Sequence, residues 1–372
     1  MDKKILHIDE ILSLFAQEAP FQLQENYDNS GLIVGDRRWQ TDSALLSVDV
    51  TEDVVDEAIR LNTKLIVAHH PIIFKGLKKL TPDDAVSRVV MKAIRHDIAI
   101  IAVHTNLDNS FSGTNFILSK KLGLNGLTIL DPKEEILKKL VVFVPTAHLT
   151  EVRQAIFTAG GGHIGQYDSC SFSTPGKGSF RAGENANPFV GEIGNLHEEE
   201  EQRLEVIVPS FRLNAVINAM LKAHPYEEVA YDLIPLDNRF DRAGSGMIGS
   251  LPEAMDEHDF LEMIAVRCDI PVLRHTHLNG KKIKKVAVCG GSGAFLLGAA
   301  KAAGADAFVT ADLKYHDFHD ADNKLLFVDA GHYETEQFTK EWMADKIKKK
   351  NPNFAVRFSE VNTNPISYFL KS

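Results

Sequence analysis

The sequence predicts an α/β protein in which a discontinuous α/β core domain with a mostly parallel sheet is interrupted by an inserted ferredoxin-like α+β domain. Three observations predict it. Short β-rich apolar runs alternate with helix-period segments over residues 1–130, the rhythm changes between 135 and 238, and the alternation resumes over 242–372. Strands alternating with helices build parallel sheets whose faces the helices cover. The chain of 372 residues also exceeds the ~250 to 300 residues at which a single core stops growing.

Taken in order, Ile8 to Ala19 has Ile11, Leu12 and Phe15 at helical spacing and predicts an amphipathic helix. Ala44 to Val50 is a buried strand, and Thr51 an N-cap for a helix with Val54, Val55, Ala58 and Ile59 on its apolar face. Leu65 to Ala68, Ala85 to Arg95 and Ile98 to Val103 complete a βαβαβ series. The insert begins with a strand (Leu140 to Val144) and a helix (Thr150 to Ala159). A Gly/Ser/Pro-rich stretch, Gly160 to Gly194, follows and is compatible with a hairpin and a mobile loop over Ser173 to Gly194. Glu198 to Glu201 is a solvated turn on this view. Leu204 to Val208, the helix Leu213 to Ala223 and Val229 to Ile234 then give the β-α-β-β-α-β order of a split βαβ domain. Beyond a glycine-rich linker (Gly244, Gly246, Gly249) come the helix Phe260 to Arg267, the strand Lys285 to Cys289, the helix Phe295 to Ala303, and the strands Ala307 to Thr310 and Leu325 to Asp329. The helix Glu334 to Lys348 and the strand Ala355 to Phe358 end the series.

Composition excludes several function classes. With 44% hydrophobic and 25% charged residues the chain has the balance of a folded globular protein, not a disordered one. Its 51 acidic and 41 basic residues give a net charge of -10, which disfavours nucleic acid and anionic lipid as partners. The lysine runs Lys281 to Lys285 and Lys346 to Lys350 are read as solvated faces. Cys170, Cys268 and Cys289 are odd in number and widely spaced, so neither a disulfide framework nor a cysteine zinc site is expected. No apolar signal core and no membrane span are visible, and a cytoplasmic location is expected.

The chemistry gathers after predicted strand ends, where ligands bind in open α/β sheets. His69 and His70 follow one strand, His104 and Asp108 another, and His332 and Glu336 a third. Pro71 keeps His70 extended, so the two adjacent imidazoles diverge and suit two ions better than one. His332 and Glu336 are four residues apart where a helix begins and share one face. Each group alone also reads as a turn, a cap or a packed histidine. Jointly, three imidazoles and two carboxylates in a chain without cysteine ligands point to a metal site. Five ligands are too many for one tetrahedral ion and too few to saturate two. With Glu336 bridging, two divalent ions ~3.5 to 4 Å apart would keep open positions, which indicates catalysis rather than structure. Asp312 and His316 follow a further strand and could position water or move protons, or simply cap a short helix. The loop Cys289-Gly290-Gly291-Ser292-Gly293 could present amides to a phosphate, although it lacks the dinucleotide and P-loop registers; tight strand-to-helix packing is the other reading.

Five ordered motifs carry a family resemblance: Tyr27-Asp28-Asn29-Ser30-Gly31-Leu32, Ala68-His69-His70-Pro71, His104-Thr105-Asn106-Leu107-Asp108, the glycine loop, and Gly331-His332-Tyr333-Glu334-Thr335-Glu336. The chain resembles the GTP cyclohydrolase 1 type 2 homolog family, the Ngg-one-interacting-factor-three-like dinuclear metal-centre proteins. The resemblance implies that His69, His70, Asp108, His332 and Glu336 hold two divalent metal ions per subunit, zinc first and iron or manganese as alternatives. His104 and His316 would be near neighbours able to move protons. It further implies that the insert is CutA- or PII-like, and that the chain forms a homo-hexamer built as a trimer of dimers. The implied activity is metal-dependent hydrolysis of a nucleotide or phosphate-bearing small molecule. The alternative is a non-catalytic metal-holding ring that senses a small-molecule ligand or acts as a scaffold.

Overall fold

The computed structural model describes residues 4–369. It is a mixed α/β structure with several sheets, and it divides into two compact units: the chain up to Pro132 together with the chain from Arg242, and Lys133–Asp241.

The first unit contains two main sheets where the sequence predicts one. A five-stranded sheet has the order Ala355–Phe358, Ser43–Ser47, Leu65–Ala68, Ala99–Ala102, Gly31–Val34. All its neighbours are parallel except the last pair. Its three central strands are buried at every residue, as parallel strands covered on both faces must be. Alternate side chains divide between two cores. Leu46, Val67 and Ile101 pack with Phe15 of helix Ile8–Glu18 and with Trp342 and Met343 of helix Thr339–Lys350. Leu45, Ile66 and Ile100 meet Val54, Val55 and Ala58 of helix Glu52–Arg60 and Val89, Val90 and Ala93 of helix Ala85–Arg95. Each such buried aliphatic or aromatic side chain contributes roughly 1.5 to 3 kcal/mol. The two latter helices start at side-chain caps: the Val54 amide donates to Thr51 Oγ1 at 3.3 Å and the Ser87 amide to Asp84 Oδ1 at 2.9 Å.

A six-stranded sheet has the order Arg274–His275, Leu326–Asp329, Ala307–Ala311, Lys282–Ser292, Phe240–Asp256, Asn125–Lys133. Only its middle strands are parallel, and antiparallel strands flank them. One of the extra strands arises where the sequence predicts a linker: Gly244, Gly246 and Gly249 lie inside the strand Phe240–Asp256. They permit close approach of a neighbouring backbone, since a Cβ on Gly244 would stand 2.2 Å from the carbonyl oxygen of Asp131. The predicted helix Glu334 to Lys348 is two helices, His332–Glu336 and Thr339–Lys350, with the Thr339 hydroxyl donating to the Glu336 carbonyl at 2.7 Å.

The second unit is a four-stranded antiparallel sheet in the order Tyr231–Pro235, Leu137–Pro145, Leu196–Pro209, Phe172–Arg181. Helices Leu149–Thr158 and Leu213–Ala223 cover one face through Leu140, Val142, Leu204, Val206, Val152 and Val216. Two expectations are corrected here. Glu198 to Glu201 is part of a long strand, not a turn, and Ser173 to Arg181, expected within a mobile loop, pairs with it to form the hairpin expected within Gly160 to Gly194, with Glu199 opposite Gly178 and Glu201 opposite Gly176. Ladder pairing prevails over the low strand propensity of glutamate and glycine.

Candidate metal centre

Both sheets of the first unit deliver side chains to one place, from the carboxyl ends of their parallel strands. His69 and His70 leave the end of Leu65–Ala68, His104 follows Ala99–Ala102 and opens the short helix Thr105–Asp108, and His332 and Glu336 occupy the helix His332–Glu336 after Leu326–Asp329. The Glu336 carboxylate is the hub. Its Oε2 lies 2.9 Å from His70 Nε2, 3.1 Å from His332 Nε2 and 3.6 Å from His69 Nε2. His69 Nε2 is also 3.6 Å from Asp108 Oδ1, and His70 and His332 bring their Nε2 atoms within 3.3 Å. His104 completes the ring, 5.3 Å from His69 and 5.2 Å from His70 between centroids.

Every imidazole is held at its other nitrogen. Nδ1 of His69 meets the Val103 carbonyl oxygen at 2.8 Å, that of His70 meets Asp49 at 2.7 Å, that of His104 meets Asp28 at 2.7 Å and that of His332 meets Asp312 at 2.6 Å. Such acceptors select the tautomer protonated at Nδ1 and leave the Nε2 lone pair for a ligand. The acceptors are themselves fixed. Thr363 donates to Asp49 at 2.9 Å, and Asp28 accepts from the Ser30 hydroxyl at 3.0 Å, the Thr105 amide at 3.0 Å and the Thr105 hydroxyl.

The electrostatics are those of carboxylates crowded against nitrogen. Burial alone would lower the pKa of His70, but Asp49 and Glu336 against its two nitrogens raise it to about 10. His332 behaves alike: burial opposes its protonated form, yet Glu336 and Asp312 lift it to about 11. Burial resists ionisation of Glu336, and the facing His69 and His332 nevertheless hold it well below the ordinary carboxyl value. Asp108 is pushed up by burial and by the charge on Glu336. Two carboxylates this close cannot both ionise without positive charge between them. Protons on imidazole provide some, and a divalent cation provides more.

The donor set fits such a cation. His69 Nε2 and Asp108 Oδ1 are buried and lack a hydrogen-bond partner among the described residues, although buried polar atoms are nearly always paired. At this centre three groups have donor atoms close enough for one ion each: His69, His70 and His104; His70, His332 and Glu336; His69, Asp108 and Glu336. The structure thus brings His69, His70, His104, Asp108, His332 and Glu336 together. It does not bring His316 with them. Asp312, in a left-handed conformation (φ 57°), turns its carboxylate toward His332, and the following helix Tyr315–Asp320 carries His316 outward, exposed, against the rings of Tyr315 and His319.

The glycine loop is also explained by the centre. The Gly290 amide donates to Asn115 at 2.9 Å and that of Gly291 to Thr335 at 3.0 Å, so these amides are already used and do not await a phosphate. A Cβ on Gly291 would lie 2.2 Å from Glu336 Oε1.

Sequence reasoning missed Asp49 and the role of Asp28. Asp49 carried a usable signal, because it too follows a strand end; a strand predicted through Val50 hid it, whereas the observed strand stops at Ser47. Asp28 lies 76 residues from its histidine and carries no comparable signal.

Residues 6–365 match the family model described as Duf34/NIF3 (NGG1p interacting factor 3). The chain belongs to this family. It is 41% identical over 371 residues to a protein of Halalkalibacterium halodurans named "GTP cyclohydrolase 1 type 2 homolog", covering 98% of this chain and 100% of the relative. A Bacillus subtilis protein of the same name is 40% identical over 373 residues, covering 98% and 99%. The fold matches a crystal structure of a Bacillus cereus protein related to NIF3 with a TM-score of 0.86 at 41% identity, covering 98% of this chain and all of that one. Among the described residues, no helix is long and apolar enough to cross a membrane.

Proposed function

We propose that this Duf34/NIF3 member is a dinuclear metal-dependent hydrolase acting on a nucleotide or another phosphate-bearing small molecule. One observation carries the reading: four imidazoles, each anchored at Nδ1, are grouped with Glu336 and Asp108, with Nε2 of His69, His70 and His332 within 3.6 Å of a carboxylate oxygen and Asp108 Oδ1 buried without a hydrogen-bond partner among the described residues. Donor sets built to be filled and still partly open suit reactive sites better than structural ones. Two divalent cations, zinc ahead of iron or manganese, would supply polarisation of a substrate oxygen and activation of water.

The chain's own residues supply the rest. His69, His70, Asp108, His332 and Glu336 would hold the ions, with Glu336 shared between them. Asp49, Asp312 and the Val103 carbonyl keep the liganding rings from rotating. His104, oriented by Asp28, would take or give a proton at Nε2, and the Phe74 ring packs edge-on to it with centroids 6.2 Å apart. His316, exposed on the helix Tyr315–Asp320, is given no role in proton transfer. For the unit Lys133–Asp241 the strand order supports a ferredoxin-like fold of the CutA or PII kind. With the family resemblance this favours a homo-hexamer, and the three unpaired cysteines favour a reducing cytoplasm.

The test is metal analysis of freshly purified protein followed by turnover assays of the same preparation on nucleotides and phosphoesters. Asp108→Ala should lose at least one metal equivalent and all turnover. Undiminished turnover in protein stripped of metal would refute the reading.

A further inference from the structure

The unit Lys133–Asp241 contains a feature that the metal centre does not use. A cavity of about 990 Å³ lies on the sheet, lined by Phe143, Phe180, Phe189, Glu201, Arg203 and Tyr226 among others. Strand alternation separates it from the core: Val142, Leu204 and Val206 face the two helices, so Phe143, Glu201 and Arg203 face the opposite way. Loops carrying Asn187-Pro188-Phe189 and His224-Pro225-Tyr226-Glu227-Glu228 contribute to its lining, and they are tied together by the Asn187 amide donating to Glu227 at 2.7 Å.

The cavity has a prepared floor. Glu201 is only 8% exposed, and its carboxylate occupies space that the opposing strand clears for it: a Cβ on Gly178 would lie 2.2 Å from Glu201 Oε2. The Tyr226 hydroxyl donates to Glu201 Oε1 at 3.0 Å. Tyr226 is in turn fixed by His224. The Tyr226 amide donates to His224 Nδ1 at 3.1 Å, so the proton is on Nε2, which donates to the Phe143 carbonyl at 2.9 Å. Burial favours this neutral ring by lowering the pKa of His224. Phe180 and Phe189 both lean on Tyr226, with centroids at 6.1 and 6.3 Å, and make an aromatic wall beside the carboxylate.

A buried carboxylate repels anions, and aromatic faces attract cations. Two basic residues of the lining already face carboxylates, Lys177 with Glu198 at 4.0 Å and Arg203 with Glu205 at 3.1 Å. Arg181 is at the end of the hairpin ladder, opposite Leu196. The volume falls at the upper end of small-molecule sites, roughly 300 to 1,000 Å³.

We propose that this cavity is a second ligand site, which binds a small organic cation through its ammonium or guanidinium group on Glu201 and its apolar body against Phe180, Phe189 and Tyr226. The site is independent of the reaction at the metal centre, and all the residues that form it lie in the other unit.

The test is calorimetric titration of the full, metal-loaded chain with agmatine, spermidine and tetramethylammonium. Butylurea serves as the uncharged counterpart of the guanidinium, and adenosine monophosphate as an anion. At least one cation should saturate, and butylurea and Glu201→Gln should each weaken binding about tenfold or more. Glu201→Gln should leave the unfolding temperature and metal content unchanged, which separates this site from the metal centre. Tyr226→Phe, which removes only the hydroxyl that positions Oε1, should weaken binding by a smaller factor and decides the matter if Glu201→Gln does not fold. Three results would overturn the proposal: no saturation by any of the cations at millimolar concentration, cation affinity unchanged from wild type in both Glu201→Gln and Tyr226→Phe, or adenosine monophosphate bound in preference to the cations and lost in Glu201→Gln.

Discussion

Replacing Gly291 by alanine tests whether the glycine loop exists to let Glu336 reach the centre. Two separate costs are expected. Gly291 has a φ of 62°, and an L-residue there costs about 1 to 2 kcal/mol in backbone strain. The new Cβ would also stand 2.2 Å from Glu336 Oε1 and 3.3 Å from His332 Cε1. Normal van der Waals separation requires the carboxylate to retreat by about 1 Å, against ligand bonds of ~2.0 to 2.2 Å. Displacing a ligand by half a bond length should lower metal affinity about 10- to 100-fold, as losing an orienting partner does. Gly280 isolates the first cost, because its φ of 67° is nearly the same while nothing lies within 4 Å of its would-be Cβ. Gly280→Ala should therefore lose about 1 to 2 kcal/mol of stability and keep its metal. Gly291→Ala should lose similar stability in the metal-free protein and, in addition, release metal on equilibrium dialysis, read by elemental mass spectrometry alongside thermal unfolding. If Gly291→Ala retains metal as well as Gly280→Ala does, the loop's closeness to Glu336 is not what positions that carboxylate.

Asp49→Ala frees Nδ1 of His70 and should reduce metal affinity about 10- to 100-fold with little change in unfolding temperature, measured by competition with a chelator. Asp28→Ala, which releases His104, should retain metal but reduce kcat on the best substrate of the panel by about 100-fold or more, the scale of a misplaced proton carrier. His316→Ala should leave both metal content and kcat at wild-type values, since its exposed ring packs against Tyr315 and His319. Thr51→Ala removes the cap of helix Glu52–Arg60 and should cost about 1 kcal/mol in chemical denaturation without affecting metal.

Much of the fold is legible because strand runs such as Leu65–Ala68 are uniformly apolar and short, and because Thr51 and Gly331 punctuate the chain where elements begin. What stays hidden has a common physical origin. The strand Phe240–Asp256 is built around glycines that look like a linker, and the strand Leu196–Pro209 opens with a run of four glutamates that looks solvated. In both, ladder partners far along the chain determine the conformation, and local composition carries no trace of them. Asp28 is hidden in the same way, because the hydrogen bond to His104 exists only after Ala99–Ala102 and Gly31–Val34 have paired.

The same distinction bears on how a metal centre is read from sequence. Liganding groups must converge, so they accumulate at strand ends, and the rule that finds His69 finds His332 as well. Orienting groups need only reach one atom from outside and come from anywhere: a carbonyl for His69, a strand end for His70 and His332, and a turn before Gly31–Val34 for His104. It follows that variation among Duf34/NIF3 chains should be freer in the source of the Nδ1 acceptor than in the imidazole it holds. A site keeps its chemistry while the acceptor moves from carboxylate to carbonyl, because the lone pair left on Nε2 is the same. Asp49→Asn is the sharpest instance. Its amide oxygen can still accept from His70 Nδ1, so it should retain most of the metal that Asp49→Ala loses, and equal loss in the two variants would show that the charge on Asp49, not the orientation it imposes, holds the centre together.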